Sequence, residues 1–192
     1  HQLGMTGQKR GRLEEAERSY QQSLAIREKL GDDYGRSVTL HQLGTIAEYR
    51  RRFEEAEHWY RQSLDIEKKL RDQKGQASTL HQLGRIAEQR RRFGEAEQWY
   101  RQSLAIKEKL GDEHGRAMTL QQLGTIAVER QRFDEAEQFY EQSLVIHEKL
   151  GDDPSLAVSD DDHVPERRIL GFRVELLGEL AEFLSEDAGG VR

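Results

Sequence analysis

The chain has 192 residues, 35% of them hydrophobic and 34% charged, with 30 lysines and arginines against 36 aspartates and glutamates for a formal net charge of −6. Its apolar stretches are only a few residues long, whereas a membrane-spanning helix takes about 20, and the absence of cysteine excludes disulfides, thiolate metal sites and a cysteine nucleophile. The mildly acidic, mixed charge lacks the basic footprint of a nucleic-acid binder, so neither a membrane nor a nucleic acid is the expected partner.

Internal similarity orders the chain. The segment HQLGTIAEYRRRFEEAEHWYRQSLDI from His41 returns from His81 as HQLGRIAEQRRRFGEAEQWYRQSLAI, and the same frame gives QQLGTIAVERQRFDEAEQFYEQSLVI from Gln121. At the amino end HQLGMTGQKRGRLEEAERSYQQSLAI, from His1, is a first copy over residues 1–32. It starts at the Leu-Gly element without the turn that leads into the others. The chain is therefore expected to begin inside a helix, as a fragment of a longer array.

Copies over 33–72, 73–112 and 113–152 complete the array, which spans 1–150 with a truncated first copy. In the second, Leu40, Leu43, Gly44 and Ala47 fall at helical spacing, and Ala56, Tyr60, Ser63 and Leu64 repeat it. Two helices per copy follow: helix A at about 35–50 and helix B at about 54–70. The short Arg51-Arg52-Phe53 link makes them antiparallel. Gly-Asp turns at 31–33 and 111–113 suit a helix stop followed by an N-cap. Gly44, Gly84 and Gly124 lie inside helix A, where glycine costs about 1 kcal/mol against alanine. Close approach of the helix axes, with Tyr60 filling the space, is expected to offset that cost.

After the array, residues 153–165 form an acidic linker containing Asp160, Asp161 and Asp162 between Pro154 and Pro165. With His163 and Glu166 this cluster has no EF-hand spacing, so a solvated linker is expected. Residues 166–185 are amphipathic, with Ile169, Phe172, Leu176, Leu180 and Phe183 on one side, and read as a C-terminal capping helix. Occupation of a groove, in its own or a neighbouring molecule, is the competing role. Residues 186–192 read as a disordered tail.

The elements L-G-x2-A and A-x3-Y-x2-S, carried here by Leu43, Gly44, Ala47, Ala56, Tyr60 and Ser63, resemble the tetratricopeptide repeat signature. The forty-residue spacing is similar to the longer-repeat branch seen in Pins-like adaptors, kinesin light chains and bacterial signalling arrays. Leu40 stands where the family has its first tryptophan, Ala47 where it has a tyrosine, and no proline closes helix B. The resemblance implies an all-α, α-α superhelix of antiparallel helix pairs. It also implies a concave wall of helix A side chains that face neither helix B: His41, Thr45, Glu48 and Tyr49; His81, Arg85, Glu88 and Gln89; Gln121, Thr125, Val128 and Glu129; and His1, Met5, Gln8 and Lys9 in the first copy.

Several constellations invite chemistry and are better read as structure. His1, His41 and His81 share one register, but equivalent positions on stacked units stand about 10 Å apart and cannot converge on one ion. They are expected to form a polar stripe or hydrogen-bond row. Arg50, Arg51 and Arg52, like Arg90, Arg91 and Arg92, are followed at once by glutamates, as the helix dipoles favour. Trp59, Trp99 and Phe139 widen the buried face of helix B, and Ser63, Ile66 and Leu70 continue it toward the next helix A.

No P-loop, dinucleotide fingerprint, HExxH, GxSxG or paired-carboxylate arrangement is present. The expected function is therefore a non-enzymatic cytoplasmic scaffold, without cofactor or metal, that binds a protein or peptide in its concave groove. Two other readings are the sensor segment of a larger bacterial signalling ATPase and a self-assembling module that forms homo-oligomers by end-to-end stacking or tail exchange.

Overall fold

The computed structural model describes residues 2–151, with side chains from residue 12 onward. The expected acidic linker, capping helix and tail lie outside the described residues. These contain seven helices and no strand: α1 (Gln2–Leu30), α2 (Asp33–Tyr49), α3 (Phe53–Leu70), α4 (Gln73–Gln89), α5 (Phe93–Leu110), α6 (Glu113–Glu129) and α7 (Phe133–Leu150). Helices α2, α4 and α6 are the A helices, and α3, α5 and α7 are their B partners. Each packs most extensively within its own hairpin and next against the neighbouring hairpin, as in an α-α solenoid.

Local chemistry fixes the boundaries. Asp32, Asp72 and Asp112 cap the A helices, their side chains accepting the backbone N–H of Gly35, Gly75 and Gly115 at 2.8, 3.0 and 2.9 Å. The preceding residue is left-handed, at φ 68° for Gly31 and 67° for Gly111, but copy 2 places Arg71 there at φ 57°. The A-to-B turn likewise holds Arg51, Arg91 and Gln131 at φ 56–60°.

Copy 1 departs from the hairpin plan, because α1 runs unbroken through Gly11, the counterpart of Arg51. The physical reason lies in its first ten residues. Thr6 and Gly7 stand where the second copy has Ile46 and Ala47, so little apolar surface is available to fold back onto the helix. Ile26 is consequently 58% exposed, whereas its counterparts Ile66 and Ile146 are 8% and 6% exposed.

The core repeats with the frame. Leu43, Ala47, Ala56 and Tyr60 are buried, as are Leu83, Ala87, Ala96 and Tyr100 one copy on. A Cβ placed on Gly44, Gly84 or Gly124 would come within 2.7, 2.5 or 2.6 Å of the ring of Tyr60, Tyr100 or Tyr140. The helical glycine thus seats a tyrosine face, which a methyl group would displace. Trp59, Trp99 and Phe139 are half-buried; Trp59 packs on the first core cluster, while Trp99 and Phe139 each link two successive clusters. The expected continuation of that face differs in two places. Ser63 donates to the carbonyl of Ser37 in its own hairpin at 2.7 Å, and Leu70 is 42% exposed.

Candidate functional site: the wall of A helices

Side chains join the A helices into one surface. His41 Nδ1 lies 3.0 Å from Thr79 Oγ1, linking α2 to α4, and His81 Nδ1 lies 3.3 Å from Thr119 Oγ1, linking α4 to α6. The histidines therefore form a hydrogen-bonded row. Among the described residues, no group of three His, Asp or Glu side chains is disposed to hold a metal ion. Burial, with Lys107 and Arg85 nearby, pushes the His81 imidazole down to about 3, and burial lowers His41 as well.

The positions expected to turn away from both B helices divide into two sets. Thr45 and Glu48 do contact helix B: the Tyr60 hydroxyl lies 3.2 Å from Thr45 Oγ1 and donates to Glu48 Oε2 at 3.1 Å. In the next copy Tyr100 donates to Glu88 at 2.7 Å, and in the last Tyr140 lies 3.2 Å from Thr125. The tyrosine is long enough to pass through the hairpin and reach the wall, which the helical register alone does not reveal. Burial raises the Glu88 carboxyl, although its bond from Tyr100 and the charge of Arg85 oppose the shift.

Half-buried Gln121 and Val128 complete the inner set with His41 and His81. Tyr49, 74% exposed, and the exposed Gln89 and Glu129 point outward at the ends of the A helices. Arg85 is also exposed, and its guanidinium reaches back to Glu48 at 3.0 Å. His1 and the side chains of Met5, Gln8 and Lys9 lie outside the described residues.

Two features of the wall's support escape a reading of neighbours along the chain. The first is an ion-pair ladder in which each pair of turn arginines grips a glutamate on the preceding B helix. Arg50 and Arg52 hold Glu17, Arg90 and Arg92 hold Glu57, and Arg130 and Arg132 hold Glu97. Burial alone would raise these three carboxyls, but the arginine hydrogen bonds and charges hold them below the usual range. The contacts run between copies, whereas charge balance within each turn is all that the linear sequence displays.

The second is a position near the end of each B helix, occupied by Arg27, Glu67, Lys107 and His147 in successive copies, half-buried in the first and buried in the other three. Glu67 accepts from Thr79 at 2.9 Å, while Lys107 donates to Thr119 at 2.9 Å. An ionisable residue changing sign amid nearly constant neighbours was the available signal.

The tetratricopeptide repeat family matches residues 1–69 and 75–149. The chain belongs to that family. No curated protein sequence matches it. Among solved structures, BtubC (BKLC) from P. vanneervenii is similar at a TM-score of 0.69 and 23% identity, over 73% of this chain and 59% of that one. The kinesin-light-chain-type protein of Podosopora anserina, with nearly identical TPR-like repeats, gives 0.67 and 20% over 100% and 95% of the two chains. The TPR domain of Arabidopsis FLU gives 0.58 and 17% over 61% and 98%.

At these identities the likeness shows a shared solenoid fold. Tetratricopeptide repeats are generally non-enzymatic scaffolds, and the fold supports protein–protein interaction in that general sense. Among the described residues, no helix is long and apolar enough to cross a membrane.

Proposed function

We propose that this tetratricopeptide repeat chain is a non-enzymatic scaffold whose wall of A helices binds a peptide segment of a partner protein. The observation that carries the reading is the split between fixed and variable positions. Leu43, Gly44 and Ala47 return unchanged in the third and fourth copies, while Thr45 becomes Arg85 and then Thr125, and Tyr49 becomes Gln89 and then Glu129. A surface already held by the His–Thr row and the tyrosine–carboxylate bonds loses little freedom on association. The outward side chains then supply selectivity.

Peptides selected by display on the chain provide the probe. Replacing Tyr49, Arg85 and Gln89 with alanine is expected to weaken their binding at least tenfold, measured by fluorescence anisotropy. Alanine at His58 and Gln62, which hydrogen-bond to each other on the exposed side of α3, should leave it unchanged. The opposite pattern overturns the reading.

A further inference from the structure

One recess in the wall is lined by residues whose charge differs from that at the equivalent positions of the neighbouring copies. It is an open depression between α2 and α4, of about 330 Å³, lined in part by Tyr34, Val38, His41, Glu67, Asp72 and Gly75. Glu67, at its floor, is only 4% exposed. Its Oε1 accepts from Thr79 at 2.9 Å and lies 2.8 Å from Ser63 Oγ, whose single hydrogen is shared with the Ser37 carbonyl, while the buried Oε2 has no partner. Asp72 stands close by: a Cβ on Gly75 would meet Asp72 Oδ2 at 2.5 Å and Glu67 Cδ at 3.1 Å. Two carboxylates therefore flank one small space. Such a pair is unfavourable in a desolvated setting unless one carboxyl takes up a proton or a cation joins the two; burial and the Asp72 charge do raise the Glu67 carboxyl, and a cation seated between them would reverse that shift.

The neighbouring copies show which group joins it when the chain supplies one. Arg27 occupies the Glu67 position in copy 1, with its guanidinium 3.7 Å from Asp32, the counterpart of Asp72. Lys107 occupies it in copy 3, where its ammonium donates to the Gly115 carbonyl at 3.2 Å and to Thr119 at 2.9 Å. Asp112 is the carboxylate that acts on it there. Copy 2 keeps the aspartate and exchanges the cation for a second carboxylate. Lys74 lies on the rim and is exposed. Copy 2 also sets Tyr34, 63% exposed, and Val38, 43% exposed, where copy 3 has Lys74 and Ser78. Those two side chains give the recess an apolar flank suited to a methylene stem.

We propose that this recess is a subsite for the basic side chain of a lysine or arginine in the bound peptide. The alkyl stem lies along Tyr34 and Val38, and the ammonium or guanidinium hydrogens bond Glu67 Oε2 and Asp72. The inference rests on the wall binding peptides, but it can be tested apart from that reading.

Methylguanidinium and N-acetyl-lysine-N-methylamide serve as probes in an amide chemical-shift titration, with N-acetyl-norleucine-N-methylamide as the uncharged control. Saturable shifts at Val38, Gly75 and Thr79 are expected from the two cations and not from the control. Glu67→Gln should weaken both cations at least tenfold. Glu67→Lys, which installs the internal ammonium of copy 3, should abolish binding. Asp72→Asn retains an N-cap side chain and should weaken binding several-fold, so the result does not depend on one variant folding. No saturable shift in the parent chain, or equal affinity in Glu67→Gln and Asp72→Asn, overturns the subsite.

The two readings fail differently. Display-selected peptides that lack basic residues and bind Glu67→Gln with parental affinity leave the peptide-binding wall standing and remove the subsite. Cation binding at Gly75, with peptide affinity indifferent to Tyr49 and Arg85, removes the wall and leaves the subsite.

Discussion

The seam inside each hairpin and the seam between hairpins are built on different principles. Inside, Gly44 under Tyr60, Gly84 under Tyr100 and Gly124 under Tyr140 repeat one steric solution in three copies. Between hairpins, the ladder glutamates Glu17, Glu57 and Glu97 are constant, but the half-buried Arg27 and the buried Glu67 and Lys107 put a different ionisable group at each junction. Steric fit can be copied without limit, since every copy needs the same closure. A buried charge needs its own complement, so the junctions are not interchangeable and each stretch of wall acquires a chemistry of its own.

The inner seam is the more sensitive to substitution. Gly84→Ala would place a methyl group 2.5 Å from Cε1 of Tyr100, which is fully buried and cannot swing aside. A loss of about 3 kcal/mol is expected in urea unfolding, from overpacking that moves a ring. A neutral result would show that the seam is looser than its geometry.

The ladder ranks next. Glu97→Ala removes the partner of Arg101, Arg130 and Arg132, and a loss of about 2 kcal/mol is expected, from charge-assisted bonds to a largely buried carboxylate. The carboxyls of Glu17, Glu57 and Glu97 are held low, so their contribution is present above about pH 4.5 and disappears as the pH falls through their folded-state values. Equal acid sensitivity in the parent and the Glu97→Ala chain would deny the ladder that role.

The wall's histidine row has its own pH signature. His81 is lowered to about 3 in the fold, so the unfolded chain takes up a proton below about pH 6.5 while the folded chain does not. Acidification from pH 7.5 to 5.5 should therefore cost the parent about 1 kcal/mol more than His81→Gln. Taking the difference between the two chains cancels the carboxylates that titrate in both. Parallel stability curves would mean that His81 is protonated in the folded protein.

The smallest effect is a gain. Arg71 holds the left-handed position that Gly31 and Gly111 occupy in neighbouring copies, and Arg71→Gly is expected to stabilise by about 0.5 kcal/mol. Thermal unfolding of the two chains would show it.

The contrast between seams also explains what could be read from the chain alone. Hairpins, their turns and the packing set around Leu43, Ala56 and Tyr60 follow from spacing, because helical register fixes which residues meet within about twenty positions. The helix ends fall within two residues of the expected ranges. The unbroken course of α1 did not follow, since the repeat frame continues through residues too polar and small to close the hairpin.

The wall was legible as a set of positions but not as a surface. Nothing in the order of residues shows that Tyr60 reaches through to Glu48, or that Arg90 meets Glu57 thirty-three residues earlier. Glu67 and Lys107 were visible as a charge that changes within a constant frame. Their burial, and the recess above Glu67, needed the stacking of one hairpin on the next.

Both helices of each hairpin supply the core, and the central claim is that the outward positions of the A helices present the binding surface. Backbone amide chemical-shift mapping of the chain with a display-selected peptide reads this directly. Shifts should gather on α2, α4 and α6 around Tyr49, Arg85 and Gln89, with little change at the exposed positions of α3 and α5. Shifts confined to the B helices, with those A-helix positions unmoved, would contradict it.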